Sequence, residues 1–479
     1  VAKSLAMTEL SIYNLLPMII NSFTDNRPTD KAIAIKPIIQ ADFATWLQNQ
    51  TDYVKNLVLV NNFTAKPNTF CLITDTNGAL GQVLLGLSNK DDFLAFGVLP
   101  KILPESVYFV EAADFSANQL DHAAIGWGLG SYDFANYKKL PEIKAKLYLS
   151  DSCDKNTIKL VTENTFLARD LINTPACDLY PSVLAQTACD IAKEFGADFK
   201  VIADEELSRD FPAVYAVGRG SKQKPLLIDM RYGAANAPKV VLVGKGVCLD
   251  SGGLQIKSSA NMLGMKKDMA GAAHALALAR MIMSAKLPIN LRVIIPAVEN
   301  LISGESYKPG DVIKTRKGLS VEIANTDAEG RLILADALAL ACEWQPELVL
   351  DFATLTGAAR IALGEDIVAL FTPDEQMAHD LSASMTAEHE PVWRLPLYQP
   401  YFEFLKTGIA DFKNVSTSDS PSGGAITAAL FLQQFIAPEV KWAHFDFNAY
   451  NLRTKPGMPE GGEADCLRGV FAYLKNKYK

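Results

Sequence analysis

Apolar residues along this chain fall into two alternating patterns. Short, nearly unbroken runs predict strands: "VKNLVLVNNF" (54–63), "TFCLITD" (69–75), "GQVLLGL" (81–87), "VYFVEA" (107–112) and "AKLYLSD" (145–151), with a helix over 117–134. Over 155–171 the apolar positions take helical spacing, and Asn173 and Pro175 stop the pattern, which predicts a helix joining two domains. From about 176 a second series of strands begins: "KPLLIDMRY", "KVVLVGKG", "NLRVIIPAVEN", "ELVLDFATL" and "WAHFDF". Helices are predicted between them over 271–286, 331–344 and 423–436.

Near-continuous apolar strands separated by amphipathic helices predict a largely parallel sheet covered on both faces. The class is therefore α/β, with 1–152 as a small N-terminal domain, 153–175 as a connecting helix and 176–479 as a larger C-terminal domain. A length of 479 residues agrees, because one core seldom serves a chain that long. No internal repeat or low-complexity tract interrupts this division.

Composition narrows the function classes. A net charge of −8 argues against nucleic acid as the main partner, since that binding rests on clustered Lys and Arg. Seven cysteines, odd in number and without a C-x-x-C pair, form no disulfide framework, so a cytoplasmic setting is expected. No apolar run reaches membrane-spanning length, and no membrane partner is expected. Leu15–Ile20 is short and carries Pro17, so it reads as a folded segment rather than a signal peptide, and Met7 is a candidate start.

In a parallel sheet ligands sit beyond the carboxyl ends of the strands, and the charged clusters fall there. "VVLVGKG" runs into Lys245 and Asp250, and "SVEIANT" into Asp327 and Glu329. Lys257, Asp268 and Arg331 lie within the same two segments, "VGKGVCLDSGGLQIK…MKKDMAGAAH" (243–274) and "NTDAEGR" (325–331). Four carboxylates at one site cannot all stay ionised without strong positive charge, because like charges raise each other's pKa. Two divalent cations satisfy that need. Taken singly, Asp-x-Glu is usually a solvated turn and Gly-Lys-Gly a loop. The order of a phosphate-binding P-loop is absent. Lys266 and Lys267 read as a solvated pair, and His274, on an Ala-rich helix, as a packed residue rather than a ligand.

These segments resemble the leucyl aminopeptidase family. "NTDAEGR" matches its signature, and "VGKGVCLDSGGLQIK" and "MKKDMAGAA" are similar to its two upstream metal-binding segments. "LARDLINTPA" (167–176), "DFATLTGAARIALG" (351–364) and "GGAITAALFLQQF" (423–435) extend the likeness. The resemblance implies a macro-like N-terminal α/β domain and a zinc-exopeptidase-like catalytic domain. It also implies a metal-dependent aminopeptidase, removing the N-terminal residue of a peptide by attack of a water bridging two metals. Lys245, Asp250, Asp268, Asp327 and Glu329 would hold the metals, zinc or manganese first, magnesium or cobalt as alternatives. Lys257 would stabilise the oxyanion, and Arg331 would hold a bicarbonate ion acting as general base. Met265, Thr354, Leu355 and Gly357 would bind the substrate, a peptide with a free N-terminus. A homohexamer is implied as well.

The likeness has gaps. Ser258 replaces a usual proline, Ala270 a common glycine, and the tail "NAYNLRTKPGMPEGGEAD" (448–465) departs from the family's small Ala-Gly pair. Asn448 in that tail predicts a more polar or broader substrate pocket than one built for leucine. The competing reading from another class is a DNA-binding or regulatory protein that keeps this fold.

Overall fold

A computed structural model of the chain describes residues 22–26, 31–416 and 423–479. Met7 and Leu15–Ile20 lie outside the described residues. Of those described, the residues up to Phe166 with Asn451–Gly461 form one compact unit, and Leu167–Tyr450 with Gly462–Lys479 form the other. The helix Lys155–Asn173 runs through the division.

The smaller unit holds a six-stranded sheet among its described residues. Its order is Phe23–Thr24, Ala145–Tyr148, Ser106–Val110, Ile33–Ile39, Leu80–Leu87, Phe70–Thr74. Neighbours run parallel except the last pair. One expectation fails here: 54–63 is not a strand but carries the helix Asp52–Val60. Thr51 caps it by accepting the Val54 N–H, and Val58 is buried while Val54 and Leu57 pack on Ile38, Phe63 and Leu84. Leu59 and Val60 are 74% and 76% exposed. An apolar run whose buried members are three and four apart is a helix, whatever its β-branched content.

The larger unit is built on a nine-stranded sheet among its described residues. The order is Val392–Arg394, Val368–Phe371, Lys441–Asp446, Leu348–Ala353, Lys239–Gly244, Asn290–Asn300, Leu226–Tyr232, Asp198–Ala203. The centre is parallel and the flanks include antiparallel pairs. Leu348–Ala353 is buried throughout, and the helices Ala270–Ser284 and Gly330–Glu343 are buried along most of their length. Such all-round burial is what a sheet covered on both faces imposes.

A jog in this sheet positions the chemistry. Lys239–Gly244 pairs with the first half of Asn290–Asn300, and the ninth strand, Gly246–Asp250, pairs with its second half. Lys245 lies at the step between them, its N–H bonded to the Phe352 carbonyl and its carbonyl accepting the Ala272 N–H. The register sets Asp250 opposite Asn300 at the carboxyl ends. By contrast, the strand before Asp327 is only Ser320–Glu322 and belongs to a separate three-stranded sheet with Val312–Lys314 and Phe412–Lys413. Past Glu322 the chain leaves the ladder because Asn414 Oδ1 takes the N–H groups of Ala324 and Asn325.

One buried carboxylate ties the layers together. Asp336, fully buried on the helix Gly330–Glu343, accepts the N–H groups of Ala213 (2.8 Å), Val214 (3.2 Å) and Arg316 (2.7 Å). Truncation to alanine strands three buried donors. Asp336→Ala should lower the unfolding free energy by about 3 kcal/mol in urea titration, a buried unpaired donor costing roughly 1–3 kcal/mol each. A loss under about 1 kcal/mol would contradict this role.

Candidate active site

Five segments of the larger unit deliver side chains to one place. Asp250 ends its strand; its Oδ1 accepts the Gly252 N–H and the Asn300 amide, both at 2.8 Å, and its Oδ2 lies 2.7 Å from the Lys257 ammonium. Between Asp250 and Lys257 the chain turns through Gly252 at φ +85°, and a Cβ there would stand 2.6 Å from the Gln255 carbonyl oxygen. Only glycine takes that turn without strain. Lys257 also lies 2.5 Å from Asp327 Oδ1.

Lys245, at the sheet's jog, places its Nζ 2.8 Å from Asp268 Oδ1 and 3.0 Å from Glu329 Oε1, and donates to the Thr354 carbonyl at 2.9 Å. The Thr354 hydroxyl donates to the same Asp268 Oδ1 at 2.8 Å. Glu329 stands at the start of the helix Gly330–Glu343, where the helix dipole favours negative charge. Carboxylate oxygens of Asp250, Asp327 and Glu329 lie within 4.8 Å of one another.

The electrostatics follow from crowding without water. Burial, then the charge of Glu329, pushes Asp250 well above the usual carboxylate range, and the same two causes work against Lys245 to leave Asp268 at about 6. Glu329 is desolvated too, but the ammoniums of Lys245 and Lys257 outweigh that and hold its carboxyl below the usual range. Both lysines are disfavoured by burial; their carboxylate neighbours more than offset this and keep them charged far up the pH scale. With all four carboxylates ionised, two ammoniums would leave two negative charges uncompensated; burial and this imbalance are why Asp250 and Asp268 hold their protons to higher pH when no further positive charge is present. Asp268 Oδ2 and Glu329 Oε2 are buried without a hydrogen-bond partner. Buried carboxylate oxygens lacking donors suit divalent cations. The cluster opens to solvent on one side, because the Asp327 side chain is 33% exposed while those of Lys245 and Glu329 are 3% and 2%.

Of the residues singled out by sequence, Lys245, Asp250, Lys257, Asp268, Asp327 and Glu329 gather directly, with Thr354 bonded to them. Arg331 is buried two residues beyond Glu329; it donates to the Asn414 carbonyl, its Nε has no hydrogen-bond partner, and burial lowers it to about 10. Met265 opens the short helix that carries Asp268, and Leu355 and Gly357 follow Thr354 along the chain. The Leu355 N–H is held by Asp446, which also accepts the N–H and hydroxyl of Thr356.

Two polar residues next to the cluster differ from the sequence reading. Lys267 is not solvated: it is buried, and its ammonium donates to the carbonyl and side-chain oxygens of Asn448, the residue that breaks the family's pattern in the tail. Lys266 donates to the Asn173 carbonyl. His274 is packed as expected, its Nδ1 2.7 Å from the Ala270 carbonyl oxygen and its ring 4.4 Å from that of Phe447. Sequence reasoning missed Asn300 and Thr326, which bond the segments carrying Asp250 and Asp327. The available signal was a polar residue ending the apolar strand "LRVIIPAVEN" beside another ligand-bearing strand.

Residues 166–468 match the catalytic domain of the cytosol aminopeptidase family, and residues 33–150 match the M17 aminopeptidase N-terminal domain. A probable cytosol aminopeptidase of Clostridium perfringens is 35% identical over 431 residues, 83% of this chain and 86% of the relative. One from Geobacter is 38% identical over 375 residues, 74% of this chain and 75% of the relative. The crystal structure of a cytosol aminopeptidase from Coxiella burnetii superposes with a TM-score of 0.91 at 48% identity, covering 95% of this chain and 99% of that one. The bottromycin maturation enzyme BotP in complex with Mn superposes at 0.84 with 30% identity, covering 94% of this chain and 100% of that one. The protein is thus a peptide hydrolase of the metallo-exopeptidase class. It belongs to the M17 cytosol aminopeptidase family. The DNA-binding alternative gains no support from these relatives.

Gly330 tests the geometry of the cluster. A Cβ there would lie 2.6 Å from Lys245 Cε and 2.8 Å from its Nζ, so the end of the side chain that sets the ammonium beside Asp268 and Glu329 must shift. Gly330→Ala should cut hydrolysis of aminoacyl amides by about a hundredfold, the scale of a 1 Å misplacement, with the far-ultraviolet circular dichroism unchanged. Near-normal turnover would show that the position of Lys245 does not matter.

Proposed function

We propose that the larger unit removes N-terminal residues from peptides at a centre of two divalent cations held by Lys245, Asp250, Asp268, Asp327 and Glu329. The observation that carries this reading is four carboxylates faced by only two ammoniums, with buried, donorless oxygens on Asp268 and Glu329. Bound there, two such ions would polarise a carbonyl and bring the pKa of water toward neutrality. Manganese and zinc are the first choices and magnesium or cobalt the next, since an oxygen-rich donor set discriminates among them weakly. Manganese is the ion named with BotP. Lys245 would ligate through a neutral amine, after the incoming cations displace its proton.

The chain's own groups then divide the work. Asp250 and Glu329 would help to hold both cations, Lys245 and Asp268 the sealed one, and Asp327 the exposed one. Lys257 stands between Asp250 and the exposed Asp327, where its ammonium donates to the scissile carbonyl oxygen and to the oxyanion that grows there. Arg331, whose buried Nε lacks a partner, would hold a bicarbonate ion, a group able to supply the general base absent among these side chains. Thr354, Leu355 and Gly357 grip the substrate backbone on a loop pinned by Asp446, and Met265 lines the side-chain pocket. A free α-amine would be held at the exposed side of the centre, beside Asp327, which would limit cleavage to the first residue.

The division into 1–152, 153–175 and 176–479 belongs to this proposal, with the reaction confined to the last. So do a homohexamer and a cytoplasmic setting. The scattered cysteines, none in a disulfide, and helices too short or polar to cross a membrane among the described residues are consistent with that setting.

Chelated protein should lose leucinamide hydrolysis and regain it with manganese or zinc, while N-acetyl-leucinamide stays intact throughout; full activity after chelation would refute the two-cation centre. Lys257→Ala should lower kcat by about 10²–10³ with KM nearly unchanged, as expected for a donor that acts mainly on the transition state. An effect confined to KM would assign Lys257 to ground-state binding instead.

A further inference from the structure

Asn300 ends the longest strand of the sheet, fully buried, directly across the ladder from Asp250. Its Nδ2 donates to Asp250 Oδ1 at 2.8 Å and to the Thr326 carbonyl at 3.0 Å. Both N–H groups of one amide are therefore spent on the two segments that carry Asp250 and Asp327. Its Oδ1 accepts nothing. Leaving a buried amide oxygen unsatisfied costs free energy, and the structure bears that cost at the acceptor end while both donors are used. A satisfied donor end and a stranded acceptor end mean that the orientation of this amide matters more than its stability. Rotating it end over end would set its oxygen against Asp250 Oδ1 and the Thr326 carbonyl, acceptor against acceptor.

The surroundings hold that orientation. The Asn300 carbonyl accepts the N–H and hydroxyl of Ser251, at 3.0 and 2.7 Å. Thr326 completes the brace: its hydroxyl donates to the Gly252 carbonyl at 2.7 Å and accepts the Gln255 N–H at 3.0 Å, and its N–H is bonded to Gln255 Oε1 at 2.6 Å. Tyr307, also buried, donates to the same Thr326 carbonyl at 2.6 Å. Gly253 is the close approach that admits the amide, since a Cβ there would stand 3.0 Å from Asn300 Oδ1 and from Thr326 Oγ1.

We propose that Asn300 is a positioning residue for the cation centre: by binding Asp250 Oδ1 and the Thr326 carbonyl at once, it fixes the spacing of the Asp250 and Asp327 carboxylates before any ion arrives. With Oδ1 occupied by Asn300 and Gly252, Asp250 turns Oδ2 toward the shared centre, where Lys257 now lies. Preorganising carboxylates in this way spares the ion the work of assembling them, so the gain is in cation affinity. The inference rests on the proposed two-cation reading and goes beyond it by naming what sets the geometry.

The test measures Mn²⁺ binding to chelated full-length protein by isothermal titration calorimetry, for wild type, Asn300→Ser and Asn300→Ala, beside leucinamide turnover across a range of Mn²⁺ concentrations. Asn300→Ala should bind Mn²⁺ at least about tenfold more weakly, the lower end of the loss for groups that orient metal ligands. Its turnover should be largely restored at high Mn²⁺. Serine, which keeps one donor, should fall between. If Asn300→Ala binds Mn²⁺ within twofold of wild type, or loses turnover that no Mn²⁺ concentration restores while its thermal midpoint is unchanged, the positioning role is overturned. Should the alanine variant not fold, the serine variant decides by the same criterion. Wild type that binds no Mn²⁺, Zn²⁺, Mg²⁺ or Co²⁺ would overturn the two-cation reading itself, a result separable from failure of the brace.

Discussion

Everything about the larger unit bends around one electrostatic demand: four carboxylates brought into a nearly dry volume with only two ammoniums to face them. Gathering that charge is unfavourable, since desolvation and mutual repulsion act together. The chain sustains it by distributing the carboxylates over separate rigid elements. Asp250 comes from a strand end, Asp268 from a short helix, Glu329 from the N-cap of a long helix, and Asp327 from the turn before it. Each is anchored by backbone packing that repulsion cannot relax.

The same demand accounts for the small residues nearby. Lys245 must pass its whole side chain between the helix at Gly330 and the strand it leaves, and Gly252 and Gly253 let the loop fold back on Asp327 and Thr326. Where the site needs a polar brace it uses amides and hydroxyls, which add no charge. Asn300, Thr326, Gln255 and Asn414 all bond backbone groups of the ligand-bearing segments. Further negative charge would have deepened the imbalance.

The centre was readable from sequence because its residues violate local expectation. Charged side chains directly after buried apolar runs, with glycines around them, are out of place in a parallel sheet unless they face a ligand. Other features left no such mark. "VKNLVLVNNF" has the composition of a strand, and only the tertiary choice of which positions to bury makes it a helix. "SVEIANT" continues the apolar alternation, yet its pairing is decided by Asn414, some ninety residues away. Lys267 resembles its neighbour Lys266 in every local respect, and its burial depends on an oxygen from Asn448. Asn300 ends a strand as countless asparagines do, and its meaning lies in the register that faces it to Asp250. What sequence hides in each case is a contact between distant segments.

The tail segment Asn451–Gly461 departs from the larger unit and packs with the smaller one. There Gly97 comes so close that a methyl group on it would reach within 2.3 Å of the Gly457 nitrogen. Among the described residues the chain crosses from one unit to the other three times, so neither can be excised as an uninterrupted stretch of polypeptide. Removing the amino-terminal unit by a single deletion would leave this strap with nothing to rest on, so the cut would have to be matched by a second one in the tail.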